Sequence, residues 1–305
     1  MKKAAAFVIC LFVVVICFAQ GKKEYSISYI DAALNLPTII EKNLKLFEKE
    51  FAKDGYTLKF PHLFSAPDQV KALASGSIDA ANCVGAIAVI AGISNGMDIK
   101  VLSMYSRAPK AFMLVTKDPK IKTIKDLKGK KISGPKGTPL HEMLGTALVK
   151  NKMSLNDIEH IQMNNDLSFA AFESGKVDAA LLTGHAAQKA LSNGARLIID
   201  GQGLIGGEMF IIVSGKLYRE NPDFAKRLIK VHKEAVNYLK THKADAYKMA
   251  AHSGGLSIKE IEILADYYDF SPEFSPTDIK NLENTQKFLL ENKMITNPVD
   301  LKTLF

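Results

Sequence analysis

The segment Ala72-Leu73-Ala74-Ser75-Gly76-Ser77-Ile78-Asp79-Ala80-Ala81 returns as Ala171-Phe172-Glu173-Ser174-Gly175-Lys176-Val177-Asp178-Ala179-Ala180, with the two glycines 99 residues apart. Both copies keep Ser-Gly-x-[Ile/Val]-Asp-Ala-Ala, and each reads as a helix end, a glycine in the left-handed region, a tight turn and a strand. The small alanines let a helix pack closely on that strand. A helix-to-strand connection of this kind is common, and the repeat carries weight because both copies hold the same place in the order of elements.

Working outward, strand and helix alternate on both sides of each copy. Tyr25 to Asp31 reads as a strand, Leu36 to Lys53 as a helix with Ile39, Ile40, Leu44, Phe47 and Phe51 on one face, and Tyr56 to Phe64 as a strand. Helix Pro67 to Leu73, strand Ile78 to Val84, helix Ala86 to Ile93 and strand Lys100 to Tyr105 follow. After Ala111 to Thr116 a second series places strands at Lys131 to Ser133, Glu159 to Met163, Val177 to Leu182 and Arg196 to Ile199. Its helices are Pro139 to Lys150, Leu167 to Phe172 and Ala186 to Leu191. This is the signature of an α/β protein with mostly parallel sheets flanked by helices. Beyond a strand at Met209 to Val213, the stretch Pro222 to Phe305 reads as helices only, opened by signals such as Asn221-Pro222 and Ser275-Pro276.

The 305 residues suit two domains, and 47% hydrophobic content with three cysteines excludes disordered and disulfide-framework classes. Lys2 and Lys3 precede an unbroken apolar run from Ala4 to Ala19, too short for a span and suited to a signal peptide over residues 1–19. Cleavage is expected after Ala19. Lipid anchoring at Cys17 is the lesser alternative, because bulky Ile16 precedes it. Loss of the leader lowers the formal charge from +8 to +6 and leaves Cys83 as the one thiol, so no internal disulfide forms. Basic and acidic residues alternate along the chain, which describes solvated helix faces and no nucleic-acid partner.

Taken together, the two Ser-Gly-x-[Ile/Val]-Asp-Ala segments, Ile124-Lys125-Asp126-Leu127-Lys128-Gly129-Lys130-Lys131-Ile132, and Gly137-Thr138-Pro139-Leu140-His141 resemble the periplasmic substrate-binding proteins of ABC transporters, in particular the nitrate/sulfonate/taurine group. The resemblance covers essentially the whole mature chain. It implies a type II periplasmic-binding-protein fold with lobe 1 built from 22–108 plus 212–305 and lobe 2 from 109–211. The chain would cross between them near Arg107 to Phe112 and near Glu208 to Ile212. Such a protein closes on a small molecule and hands it to an ABC permease and ATPase, as a monomer outside the cytoplasm.

In open α/β sheets ligands sit beyond the carboxyl ends of strands, against helix N-termini. That rule selects Asp31 and Asn35, then Asn82 and Gly85, then Gly137, Thr138 and His141, then Thr183, Gly184 and His185, with Arg107 near the first hinge. Thr138 also suits a plain N-cap worth about 1 kcal/mol. His141 equally suits a neutral surface histidine, Arg107 a surface residue near the hinge, and Cys83 a small buried apolar side chain. Two loops depart from the family pattern, Asp31-Ala32-Ala33-Leu34 and Thr183-Gly184-His185, and an Asp in the cleft would draw an amine or heteroaromatic N–H and repel an anion.

Catalytic motifs fail on context. Gly201-x-Gly203-x-x-Gly206 runs into a strand where a dinucleotide fold needs a helix, and Gly92-x-Ser94-x-Gly96 follows a helix where a nucleophile elbow follows a strand. His141-Glu142 has Gly145 where a zinc protease needs His, and Pro135 stands where a phosphate loop needs Lys. No cofactor, metal site or catalytic set is expected. The competing classes are an enzyme on the same fold, of the pyrimidine-precursor or menaquinone-pathway kind and cytoplasmic, and a sensor ectodomain.

Overall fold

In the computed structural model, residues 24–29, 34–63, 65–254 and 256–304 are described. The leader, with its cleavage and Cys17 alternatives, and Asp31 lie outside them. The first half of the chain gives β1 (Glu24–Ser28), α1 (Leu36–Asn43), α2 (Leu46–Phe51), β2 (Thr57–Lys59), α3 (Ala66–Ala74), β3 (Ala80–Gly85), α4 (Ala86–Ser94) and β4 (Ile99–Arg107). Then come β5 (Phe112–Thr116), β6 (Lys131–Gly134), α5 (Pro139–Lys150), β7 (Glu159–Gln162), α6 (Asn165–Glu173), β8 (Ala179–Thr183), α7 (Gly184–Ser192) and β9 (Arg196–Asp200). β10 (Glu208–Ser214) precedes the helices α8 (Gly215–Glu220), α9 (Pro222–Thr241), α10 (Lys243–Gly254), α11 (Ile258–Ala265) and α12 (Pro276–Glu291).

The strands form two five-stranded sheets of the same order, β2-β1-β3-β10-β4 and β7-β6-β8-β5-β9. In each, one strand runs against the other four. That strand, β10 or β5, is the first one the chain enters after leaving the other sheet, so the reversed strands mark the crossings. The repeat accounts for the rest. Gly76 and Gly175 adopt φ of 73° and 69°, where an L side chain is strained. The following aspartates clamp the neighbouring parallel strand: Asp79 Oδ2 accepts from Ser26 N at 2.9 Å, and Asp178 Oδ2 from Lys131 N at 2.8 Å. The backbone N–H groups of the same two aspartates donate to Ser26 O and Lys131 O.

The helix expected over Leu36 to Lys53 is two helices. Lys45 takes the left-handed φ of 53°, which turns α2 so that Phe47 and Phe51 enter the core with Tyr25 and Phe224. Apolar spacing through Leu44 hides this break, since both pieces keep their faces inward. The strand expected over Tyr56 to Phe64 is also shorter, with only an isolated bridge from Tyr29 to His62 beyond β2. Phe64 lies outside the described residues.

The tail joins both sheets. α12 packs on α4 and on α5, where Phe288 lies so close to Gly145 that an added Cβ would come within 2.3 Å of its ring. Thr285 Oγ1 donates to Glu142 Oε1 at 2.6 Å across the same seam. Burial, above all, pushes the Glu142 carboxyl up to about 8.

Candidate ligand-binding site

A cleft of about 690 Å³ opens between the two sheets, at the carboxyl ends of their strands. Six helix N-termini reach it in pairs that match across the lobes: α1 and α5, α3 and α6, α4 and α7. Their cap positions are Asn35, Thr138, Ser65, Asn164, Gly85 and Thr183, and all six line the cleft.

The caps divide sharply. Ser65 and Asn164 accept from N–H groups of their own helices, while α1, α4, α5 and α7 have no side-chain cap. Helices that end elsewhere, α8, α9, α11 and α12, are capped by Ser214, Asn221, Ser257 and Ser275. Among the described α-helices with a defined N-cap outside the cleft, only the six-residue α2 lacks one. The cleft therefore faces the positive ends of four dipoles whose N-cap side chains supply no oxygen to the first-turn N–H groups. In α1 one first-turn donor is already used inside the lobe, since Thr38 N donates to the buried Tyr105 hydroxyl at 3.3 Å.

The loop that enters α5 is held rigid by its neighbours. Gly137 is at φ 71°, and an added Cβ on Gly134 would fall 2.6 Å from the Leu181 side chain. Thr138 Oγ1 donates to Pro135 O at 2.8 Å, so its hydroxyl shapes the turn and does not cap the helix. Gln162 Oε1 accepts from Lys136 N, His141 Nδ1 accepts from Gly137 N, and His160 Nε2 donates to Gly134 O. His141 and His160 pack 5.1 Å apart by ring centroids. Burial holds each imidazole down at about 4, helped at His141 by His160 and at both by Lys136. Both rings are neutral at pH 7.

Of the residues singled out from the sequence, Asn35, Gly85, Gly137, Thr138 and Thr183 line this cleft. Asn82 does not. It faces a smaller cavity inside lobe 1, because β3 carries a bulge at this point: Phe210 pairs with Val84 and Ile212 with Ala81, so two residues of β3 oppose one of β10. Arg107 faces away too. On the crossing strand Ser106 and Ala108 turn to the cleft, while Arg107 turns to the opposite side and ion-pairs with Asp278 through Nε at 2.5 Å. Burial alone would raise Asp278, but hydrogen bonds from Arg107 and Ser275 hold it below the usual carboxylate range. His141 stands behind its loop, Gly184 begins α7 at φ 58° away from the cleft wall, and His185 is exposed.

Sequence reasoning left out much of the lining. Phe112 and Met209 come from the two crossing strands, Gln162 and Asn165 from the end of β7 and start of α6, and Ser65 and Asp68 from the start of α3. The strand-end rule that picked the other loops would have found Ser65 and Gln162. Tyr268 had no such signal, since it arrives from the segment after α11, paired to the crossing by the bridge between Arg107 and Asp269. Asp68 Oδ2 already accepts from Ser65 Oγ at 2.5 Å. Cys83 also lines the cleft, its Sγ donating to Asn35 Oδ1, and burial pushes the thiol up to about 12.

The profile of the NMT1/THI5-like family matches residues 51–246. The chain belongs to this family. It is 30% identical over 270 residues to a Bacillus subtilis (strain 168) protein named for binding aliphatic sulfonates, covering 87% of this chain and 81% of that one. Its structure resembles the alkanesulfonate-binding protein SsuA from Xanthomonas axonopodis pv. citri bound to MOPS, with a TM-score of 0.81 at 24% identity over 90% of this chain and 95% of that one. The desulfurization enzyme DszB shares the fold at a TM-score of 0.68 and 17% identity, over 92% of this chain and 96% of that one. The fold is thus the two-lobe periplasmic-binding-protein fold, on which both binding proteins and an enzyme are built.

Proposed function

We propose that this chain is an exported solute-binding protein that captures an organic oxyanion of the sulfonate class and delivers it to an ABC importer. The observation that carries this reading is the set of four uncapped helix N-termini facing one cleft, where α8, α9, α11 and α12, which start elsewhere, supply their own caps. A sulfonate brings three acceptor oxygens and one negative charge to those N–H groups, and Lys136 stands at the rim with the same sign preference. Phe112, Leu140 and Met209 offer apolar wall for the rest of the molecule. The amine expected from Asp31 has less support, because the described acid on the wall, Asp68, is already bonded to Ser65.

Binding without catalysis is the reading we favour for the same cleft. Its one thiol, Cys83, is kept protonated by burial, and a protonated thiol is a poor nucleophile. The apolar leader supports export with cleavage after Ala19, and outside the cytoplasm a permease driven by its ATPase takes the ligand from the closed form.

The test is a thermal shift and calorimetry series on residues 20–305 with alkanesulfonates, matched carboxylates and matched alkylamines. A sulfonate at about 100 times its dissociation constant adds about 2.7 kcal/mol, several degrees of melting temperature. Stabilisation by an amine and by no sulfonate would return the site to the Asp31 reading.

A further inference from the structure

A second cavity, of about 160 Å³, lies inside lobe 1 between α1, α2 and the β1 and β3 strands, and no described residue lines both it and the cleft. At its inner end stand Glu41 and Asn82, only 1% and 2% exposed. Asn82 Nδ2 donates to Glu41 Oε2 at 3.2 Å, which fixes the amide: flipping it would set oxygen against carboxylate. Oδ1 is then the remaining end, and it is buried with no hydrogen-bond partner among the described residues. Glu41 accepts from His232 Nδ1 at 3.2 Å on its other oxygen and keeps lone pairs to spare.

The outer wall is aromatic. Phe60 packs on Phe47 and Tyr29 with ring centroids 5.9 and 6.5 Å away, and all three line the cavity. At the mouth, Lys42 Nζ sits 4.3 Å from the Tyr29 ring centroid, so this wall already takes an ammonium group from outside. A buried carboxylate, a buried acceptor with nothing to accept, and aromatic faces share one complement: a cation that carries N–H donors. An anion is refused by Glu41. A bare metal ion would need more oxygens than two side chains supply. The volume admits only a few non-hydrogen atoms, given roughly 30 Å³ for one water.

We propose that this cavity is a second ligand site, for a small primary ammonium ion of about the size of methylammonium, bound through N–H groups to Asn82 Oδ1 and the Glu41 carboxylate against the Phe47, Phe60 and Tyr29 rings. It is independent of what the cleft binds. The probe is methylammonium chloride, compared with sodium chloride and tetramethylammonium chloride at equal ionic strength, on residues 20–305. Methylammonium at about ten times its dissociation constant should raise the melting temperature by about 2–4 °C over sodium. Tetramethylammonium, which has no N–H and more bulk, should not. Removing Asn82 or Glu41 risks the fold, so the diagnostic variant is Phe60→Trp, which narrows the half-buried wall and leaves the buried polar groups in place. It should melt as the parent does in sodium chloride and lose the methylammonium shift. Equal shifts in all three salts, an unaltered shift in Phe60→Trp, or crystals with methylammonium that hold only water or the Lys42 ammonium at Asn82 Oδ1 would each overturn the assignment.

Discussion

The two copies of the Ser-Gly-x-[Ile/Val]-Asp-Ala segment do the same work in the two lobes and then part company within three residues. Both put a left-handed glycine after a helix, both aspartates clamp the adjacent strand, and both sheets have the same strand order. In lobe 2 the strand then pairs without interruption from Thr116↔Ala179 to Phe112↔Thr183. In lobe 1 it bulges between Ala81 and Val84, with Cys83 at φ 61°. The clamp builds a scaffold that can be duplicated, and the one extra residue re-aims side chains at the site, as bulges beside binding sites do. Because of it Cys83 faces the cleft and Asn82 faces the cavity behind.

The comparison is tested most severely where a head group would bridge the lobes. Gly85 and Thr183 are matching uncapped positions, and the Gly85 backbone, at φ −65°, accepts a side chain with only ordinary contacts to Met209 and Pro139. Gly85→Asp and Thr183→Asp each give the helix its own carboxylate cap, adding about 0.5–1 kcal/mol of stability. Each should also weaken sulfonate binding by about 100-fold, since the new charge takes the anion's place. Calorimetry beside urea unfolding reads both effects. Loss in one variant alone would mean that a single lobe holds the anion.

Removing the clamps comes next. Asp79→Ala deletes a charged acceptor from the part-buried Ser26 N–H, costing about 2 kcal/mol in urea unfolding, and Asp178→Ala deletes one from the exposed Lys131 N–H, costing about 1 kcal/mol. Both costs should be measurable, with that of Asp178 the smaller because water reaches its N–H donor. A cost in only one lobe would show that the repeat is a shared sequence without a shared role.

Much of this scaffold was legible because its causes are local. Gly76, Gly175 and the alternating apolar runs act within a turn or a strand, and the switch to helices after β10 follows from caps such as Asn221 and Ser275. The cleft was legible only in part. Asn35, Gly85, Gly137, Thr138 and Thr183 sit where strand-end rules point, but the direction of Asn82 depends on a register shift against β10, a strand more than 120 residues later. Tyr268 depends on how the tail folds back, and Arg107 on Asp278, which no spacing in the sequence announces.

Acid should separate the lobes. His141 and His160 both serve the lobe 2 ligand loop, and burial keeps their folded values at about 4 against 6.5 for a free imidazole. The unfolded chain therefore binds more protons between those values. Their contribution is full above pH 6.5 and is lost as pH falls through 4, by on the order of 3 kcal/mol, most of it from His141 because water screens the less buried His160. Ligand affinity should fall in the same window, because a protonated His141 Nδ1 no longer accepts from Gly137 N. His141→Gln, which can keep an acceptor there, should flatten the affinity curve and leave only the His160 share of the stability loss. Urea midpoints and calorimetry from pH 7.5 to 4 decide it.

The smallest effect bears directly on the bulge. At φ 61° an L residue carries a conformational cost of about 1–2 kcal/mol, which Cys83→Gly removes. The same change gives up about 1 kcal/mol of buried side chain and adds roughly 0.5–1 kcal/mol of unfolded-state entropy. The contributions nearly cancel, so Cys83→Gly should leave stability within about 1 kcal/mol of the parent. Cys83→Val keeps the apolar volume but forces a β-branched residue into the left-handed region, and it should be clearly the less stable of the two. If valine were tolerated as well as glycine, the bulge would be relaxing to the regular pairing seen in lobe 2. The extra residue in β3 would then be a passive irregularity with no part in aiming Asn82 and Cys83.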